Sequence, residues 1–152
     1  MSKPTAIARD DNPSFEAMAI VDKYEVFLNY LYPKVQNCPR KHGVLRDAVL
    51  AALFVPVPGF HAAGKTKQIS RLYAVDADIA VLRFWLRFMA NSSRAIITEA
   101  QCKVAMRHLN EVGSMLGAWI QKTSTRQIEG SRSGGAASAR EGLPTKDRVV
   151  GG

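Results

Sequence analysis

The sequence predicts an all-α protein, an antiparallel up-down bundle of four helices that also associates with copies of itself. Three observations carry that expectation. Apolar residues recur at three- and four-residue steps in four stretches, which is the helical period. The connections between those stretches are short, the pattern of helices packed as antiparallel neighbours. The third stretch is apolar on two sides, one more than a place in a small bundle requires.

Residues 1–13 are polar, contain Pro4 and read as a disordered lead-in. Asn12-Pro13 is a helix start, a capping side chain followed by proline at the first helical position. Ile20, Tyr24, Phe27, Leu28, Leu31 and Val35 then mark a first helix over 14–37, with Pro33 one turn from its end. Cys38-Pro39 stops it, and Arg40-Lys41-His42-Gly43 follows as a compact basic segment. A second helix over 43–63 has Leu45, Val49, Leu50 and Leu53 in period, then meets Pro56, Pro58 and Gly59, where it either kinks or ends. A turn at Gly64-Lys65-Thr66-Lys67 leads to the third helix, 68–91. The fourth, 98–122, opens on the capping box Thr98-Glu99-Ala100-Gln101 and lines Ala105, Leu109, Val112 and Leu116 on one face. Lys103, Arg107 and Glu111 share another of its faces at i, i+4 spacing. Residues 123–152, rich in Ser, Gly and Ala, read as a disordered basic tail.

At ~100° per residue, Leu72, Val75, Ile79, Leu82 and Leu86 of the third helix form a core stripe. Ala77, Val81, Phe84 and Phe88, with Trp85 at the margin, form a second apolar surface suited to another subunit. Asp76, Arg83 and Arg87 share a wedge between the two. Asp76 and Arg83 stand two turns apart, ~10 Å along the axis, so the arginines are expected to stay at least partly free.

A chain of 152 residues is long enough for one domain with a real core. Its formal charge of +8 and pI near 9.8 favour a polyanionic partner. The charge is uneven. Between Ser14 and Pro33 a single base faces three acids, whereas from Lys65 to Lys122 nine bases face four. Cys38 and Cys102 fit neither a disulfide framework nor metal-ligand spacing. The N-terminus lacks the apolar run of a signal peptide, and no window holds ~18 consecutive apolar residues. The expectation is a soluble cytoplasmic protein with no membrane partner.

Gly59-Phe60-His61-Ala62-Ala63-Gly64-Lys65-Thr66 matches the phosphate-binding pattern G-x-x-x-x-G-K-[ST] in full. Leu53-Phe54-Val55 reads as a possible strand before it, but no other segment supplies the parallel sheet such a site needs. The would-be metal ligand Asp76 falls inside the helix that the loop should start. A glycine turn with Lys65 and Lys67 in solvent is the preferred reading. His42, His61 and His108 are scattered, no serine sits in a nucleophile elbow, and Asp76 and Asp78 point to different helix faces. Those aspartates are expected to pair with Arg71, Arg83 or a base on a neighbouring helix. No catalytic constellation, metal site or cofactor site is expected.

Leu31-Tyr32-Pro33, Pro39-Arg40-Lys41-His42-Gly43-Val44, Ala63-Gly64-Lys65, Leu72-Tyr73-Ala74, Leu82-Arg83-Phe84-Trp85-Leu86-Arg87-Phe88, Glu111-Val112-Gly113 and Trp119-Ile120 together resemble the accessory variability determinant (Avd) family of diversity-generating retroelements. The likeness covers about 15–122 and departs at Pro56 and Pro58, where the family's second helix runs unbroken. It implies a four-helix bundle assembled as a basic pentameric barrel. Such proteins bind the element's reverse transcriptase and its template RNA, with DNA as a further possible ligand, in support of mutagenic retrohoming. They carry no catalytic activity of their own. Arg83 and Arg87 fall on the family's partner-binding arginines, and Arg40, Lys41, Lys65, Lys67 and Arg71 complete the candidate set. The alternatives are an RNA-binding four-helix protein of the ribosomal-RNA intervening-sequence type and a small P-loop nucleotide-binding protein.

Overall fold

The helical periods in the sequence map onto helical rods in the computed structural model, which describes residues 15–151, with side chains for 15–131. The expected lead-in, 1–13, lies outside the described residues, as do the side chains of most of the expected tail. Helix α1 spans Phe15–Gln36, and a 3₁₀ turn, Arg40–His42, links it to α2, Gly43–Phe54. Helices α3, Pro56–Thr66, and α4, Ile69–Ala90, follow, and α5 begins at Glu99 and keeps helical backbone to Gly151. There is no strand among the described residues.

Helices α2 and α3 are two halves of one bent rod. Val55 between them keeps right-handed helical angles, φ −59° and ψ −41°. The second helix therefore neither stops at Pro56 nor runs straight through it. Pro56 lacks the amide that would cap Ala52, and the ring is buried instead. On the α1 side of this joint the buried Tyr24 hydroxyl donates to the Leu53 carbonyl. Burial, followed by the nearby Asp78 charge, holds the Tyr24 phenol far above its usual range, so it stays protonated as a donor.

The expected turn at Gly64–Lys67 needs correction. Gly59 through Thr66 is all helix, and the chain turns through Lys67, in the left-handed region at φ 58°, and the extended Gln68. The Lys67 amide caps the Ala63 carbonyl and the Thr66 hydroxyl caps the Ala62 carbonyl, so the helix end is satisfied without a glycine at the left-handed position.

The core runs between the rods. Ile20, Tyr24, Phe27 and Leu31 from α1 meet Val49, Leu53 and Phe60 from α2 and α3. Leu72, Val75, Ile79, Leu82 and Leu86 of α4 and Ala105, Leu109, Val112 and Leu116 of α5 close it. These are the stripes expected from the period, and Met89 and Ile97 extend them. The α2–α3 rod packs against both α1 and α4. On the other side α5 reaches α1 through Lys23–Glu111 and Tyr30–His108, and reaches α4 through Arg83–Asn110 and Cys102–Leu86. Helices α1 and α4 are thus separated by a rod on each side.

The Thr98–Gln101 capping box forms reciprocally, each side chain bonding the other's amide at 3.0 Å. From Gln121 onward the chain is a separate compact unit. One continuous helical stretch, Arg40–Thr66, is long and apolar enough to cross a bilayer by length and composition, although the core helices of soluble proteins meet the same test.

Candidate nucleic-acid interface

Arg83 and Arg87 lie one turn apart on α4, on the flank that packs beside α5. Arg83 is half-buried, and its Nη2 donates to Asn110 Oδ1 at 3.3 Å. Its guanidinium lies over Gly113, where an added Cβ would come within 2.8 Å of Nη2. Gly113 is therefore the seat on which Arg83 rests. Arg87 is exposed, and close enough to the Cys102 thiol to act on it. Burial lifts that thiol, Arg87 opposes the rise, Glu99 adds to it, and the net shift is upward. Cys102 is thus held as a thiol, and its Sγ donates to the Leu86 carbonyl at 3.6 Å.

Neither arginine meets a carboxylate within 4 Å among the described residues, where the recorded ion pairs are Lys23–Glu111 and Arg46–Asp47. The expected pairing of Asp76 or Asp78 with Arg71, Arg83 or another helix is therefore corrected. Asp78 instead borders a recess of about 310 Å³ between α3 and α4, and burial raises its carboxyl above the ordinary range.

Two bases absent from the candidate set join Arg83 and Arg87. Lys103 and Arg107 are exposed on α5, one turn apart, and border an open depression with Asn110 and Ser114. Asn110 also holds Arg83, so the α4 and α5 bases form one continuous face. Glu111, the acid on this depression, is engaged from α1 by Lys23 at 3.5 Å, which removes part of its opposing charge. The i, i+4 spacing of Lys103 and Arg107 was the available signal. What it lacked was the register between α4 and α5, which no local pattern contains.

Arg94 was also missed. Its Nε donates to the Phe88 carbonyl at 2.9 Å and its guanidinium stacks 3.7 Å above the Phe88 ring. That caps the end of α4 and fixes the last ring of the Phe84–Trp85–Phe88 cluster. A link spanning six residues across a helix end has no periodic signature.

The other candidate bases do not converge on this face as one group. Arg40 and Lys41 are exposed in the 3₁₀ turn before α2. Lys65, Lys67 and Arg71 gather around the α3–α4 turn, where Arg71 Nε donates to Gln68 Oε1 at 3.3 Å. The α2–α3 rod separates the two groups by its own length, on the order of 35 Å at 1.5 Å per residue.

The phosphate-loop pattern has a structural explanation. Its amides are committed to helix α3 rather than presented in a loop, and an added Cβ at Gly59 would lie 2.7 Å from Val75 Cγ2. Gly64 is buried. Gly59 lets α3 close against α4, and Lys65 and Thr66 stand at an exposed helix end. No group of three or more metal-ligating side chains occurs among the described residues.

With this geometry in place, comparison with known families decides the relationship. The model of the bAvd-like family matches residues 18–123. The chain belongs to the bAvd-like family. The match covers nearly all of the bundle and leaves out both ends of the chain, close to the extent over which the sequence resembles accessory variability determinants. The bAvd-like family is not a known class of enzymes. No curated protein matches the chain.

Proposed function

We propose that this bAvd-like protein is a non-enzymatic accessory factor of a diversity-generating retroelement. It binds the element's reverse transcriptase and template RNA in the cytoplasm, with DNA as a further ligand, in support of mutagenic retrohoming. The observation that carries this reading is the face made by Arg83, Arg87, Lys103 and Arg107, whose charges are left without carboxylate partners within the described bundle. Nucleic-acid phosphate, or an acidic surface on the polymerase, is the chemistry that satisfies such a face. Family membership supplies the biological setting.

The up-down antiparallel arrangement belongs to the same proposal. It is supported by contact order: Lys23 and Tyr30 of α1 meet Glu111 and His108 of α5, and Arg83 and Leu86 of α4 meet Asn110 and Cys102. Rising numbers in one helix pair with falling numbers in the next. Homo-oligomerisation, as a pentamer, follows the family resemblance and is supported by the outward apolar ridge of α4, with Phe84 48% and Val81 47% exposed.

The test is binding of template-repeat RNA across a salt series. Single-stranded RNA contacts shift log K by about −0.7 per log unit of salt for each phosphate neutralised. Alanine at Arg83, Arg87, Lys103 and Arg107 together should flatten that slope and weaken binding while leaving the helical spectrum unchanged. RNA binding that ignores salt in the parent protein rules the mechanism out.

A further inference from the structure

Arg83 and Arg87 stand on the flank of α4 that packs beside α5, and the flank toward α3 carries a different chemistry. Arg71 and Asp78 both border the recess of about 310 Å³ between α3 and α4. They are seven residues apart, two turns or ~10 Å along the axis, and so mark its two ends. Gly59, Ala62, Ala74 and Val75 line the space between them, and none of these side chains is long enough to fill it. No aromatic ring borders the recess, so it offers no stacking platform for a nucleobase. Arg71 is held at its own end, where its Nε donates to Gln68 Oε1 at 3.3 Å. Asp78 is partly buried and has no cation within 4 Å among the described residues. Burial already raises its carboxyl, and the nearby Tyr24 hydroxyl is spent on the Leu53 carbonyl. A carboxylate drawn out of water is stabilised by a cation that enters beside it.

We propose that this recess takes the side chain of one lysine or arginine from a partner polypeptide, its cationic head on Asp78 and its methylene stem along Ala62 and Ala74. Long basic side chains lay an apolar stem on apolar surface and present a charge at the tip, which are the two things the recess receives. A phosphate entering here meets Asp78 as a like charge. A polyamine, with a second cation, meets Arg71 in the same way. The recess is open on its outer side, where the rest of the partner chain can pass. Because the site lies on the other flank of α4 from Arg83 and Arg87, an anionic partner on the basic face and a basic side chain here can be held together. The inference goes beyond the accessory function proposed above and does not depend on it.

The test is saturation-transfer NMR from the full chain to N-acetyl-L-arginine methylamide and to its lysine counterpart. Transfer to the side-chain methylenes of at least one of them is expected. Asp78→Asn keeps the shape of a partly exposed side chain and should weaken binding at least about tenfold, the scale of a lost charge-assisted hydrogen bond. Ala74→Leu fills the recess from an exposed helix position and should weaken binding likewise with Asp78 intact. The variant with alanine at Arg83, Arg87, Lys103 and Arg107 should bind the probes as the parent does. Its loss of RNA binding is scored separately, so failure of this site is distinguishable from failure of the accessory function. The proposal is overturned if neither derivative receives transfer, or if Asp78→Asn binds like the parent. Equal binding of N-acetyl-L-norleucine methylamide overturns it too, since the recess would then be only an apolar hollow. So does tighter binding of spermidine or free L-arginine than of the blocked derivatives, which would make this a site for a small metabolite. Should Asp78→Asn lose the helical spectrum, Ala74→Leu is judged by the same outcomes.

Discussion

Gly59 and Gly113 both sit where a methyl group would collide, but the two collisions differ. At Gly59 the obstacle is the branched Val75 side chain at 2.7 Å, locked in the core of α4. Gly59→Ala should therefore destabilise by about 1–3 kcal/mol in a denaturant melt, the usual cost of overpacking. At Gly113 the obstacle is the tip of Arg83, which swings on three more torsions. Gly113→Ala should leave the melt within about 0.5 kcal/mol of the parent while weakening RNA binding through a displaced Arg83. Tyr24 provides a third check at this scale. Its folded phenol titrates far above the unfolded value near 10, so above that pH the unfolded state binds fewer protons than the native state. Stability should fall there by up to about 1.4 kcal/mol per pH unit from this group. Tyr24→Phe should remove that component of the alkaline slope, and should cost about 1 kcal/mol near neutrality for the lost bond to Leu53.

At the scale of elements, periodicity made the four core stripes legible before any coordinates. The Thr98–Gln101 box and the arrest at Cys38-Pro39 were equally visible, because capping chemistry is local. The bend at Val55–Pro56 was not resolvable in advance. Proline disfavours a helix interior, but here the ring is buried and Tyr24, 29 residues before its acceptor Leu53, donates to the last turn of α2. The same gap produced the mistaken glycine turn. A glycine in sequence signals either a turn or close helix packing; at Gly59 the position of Val75 selects the second, and at Gly64 the helix runs on to Thr66 before Lys67 turns. It follows that Gly59–Thr66, with its amides held in helix α3, should give no heat above dilution when titrated with Mg-ATP or Mg-GTP. Micromolar nucleotide binding lost in Lys65→Ala would contradict this assignment of the motif.

For the whole molecule, Arg40 and Lys41 stand at one end of the α2–α3 rod and Lys65, Lys67 and Arg71 gather at the other. Arg83 and Arg87 instead lie near Lys103 and Arg107, brought alongside by the α4–α5 packing that Asn110 marks. Glu111 is turned toward Lys23, leaving the face more basic than its residue count implies. The charged flank and the apolar ridge of α4 are both exposed on the bundle, and the proposed function gives each a partner. The central claim is that the basic face holds the polymerase of the same retroelement. Co-purification of the full chain with that reverse transcriptase, weighed by light scattering, tests it most directly. A stable complex is predicted at low salt, lost when Arg83, Arg87, Lys103 and Arg107 are changed to alanine in a variant that keeps its helical spectrum. Failure of the parent to form any complex at low salt, or full retention by the four-alanine variant, would contradict it.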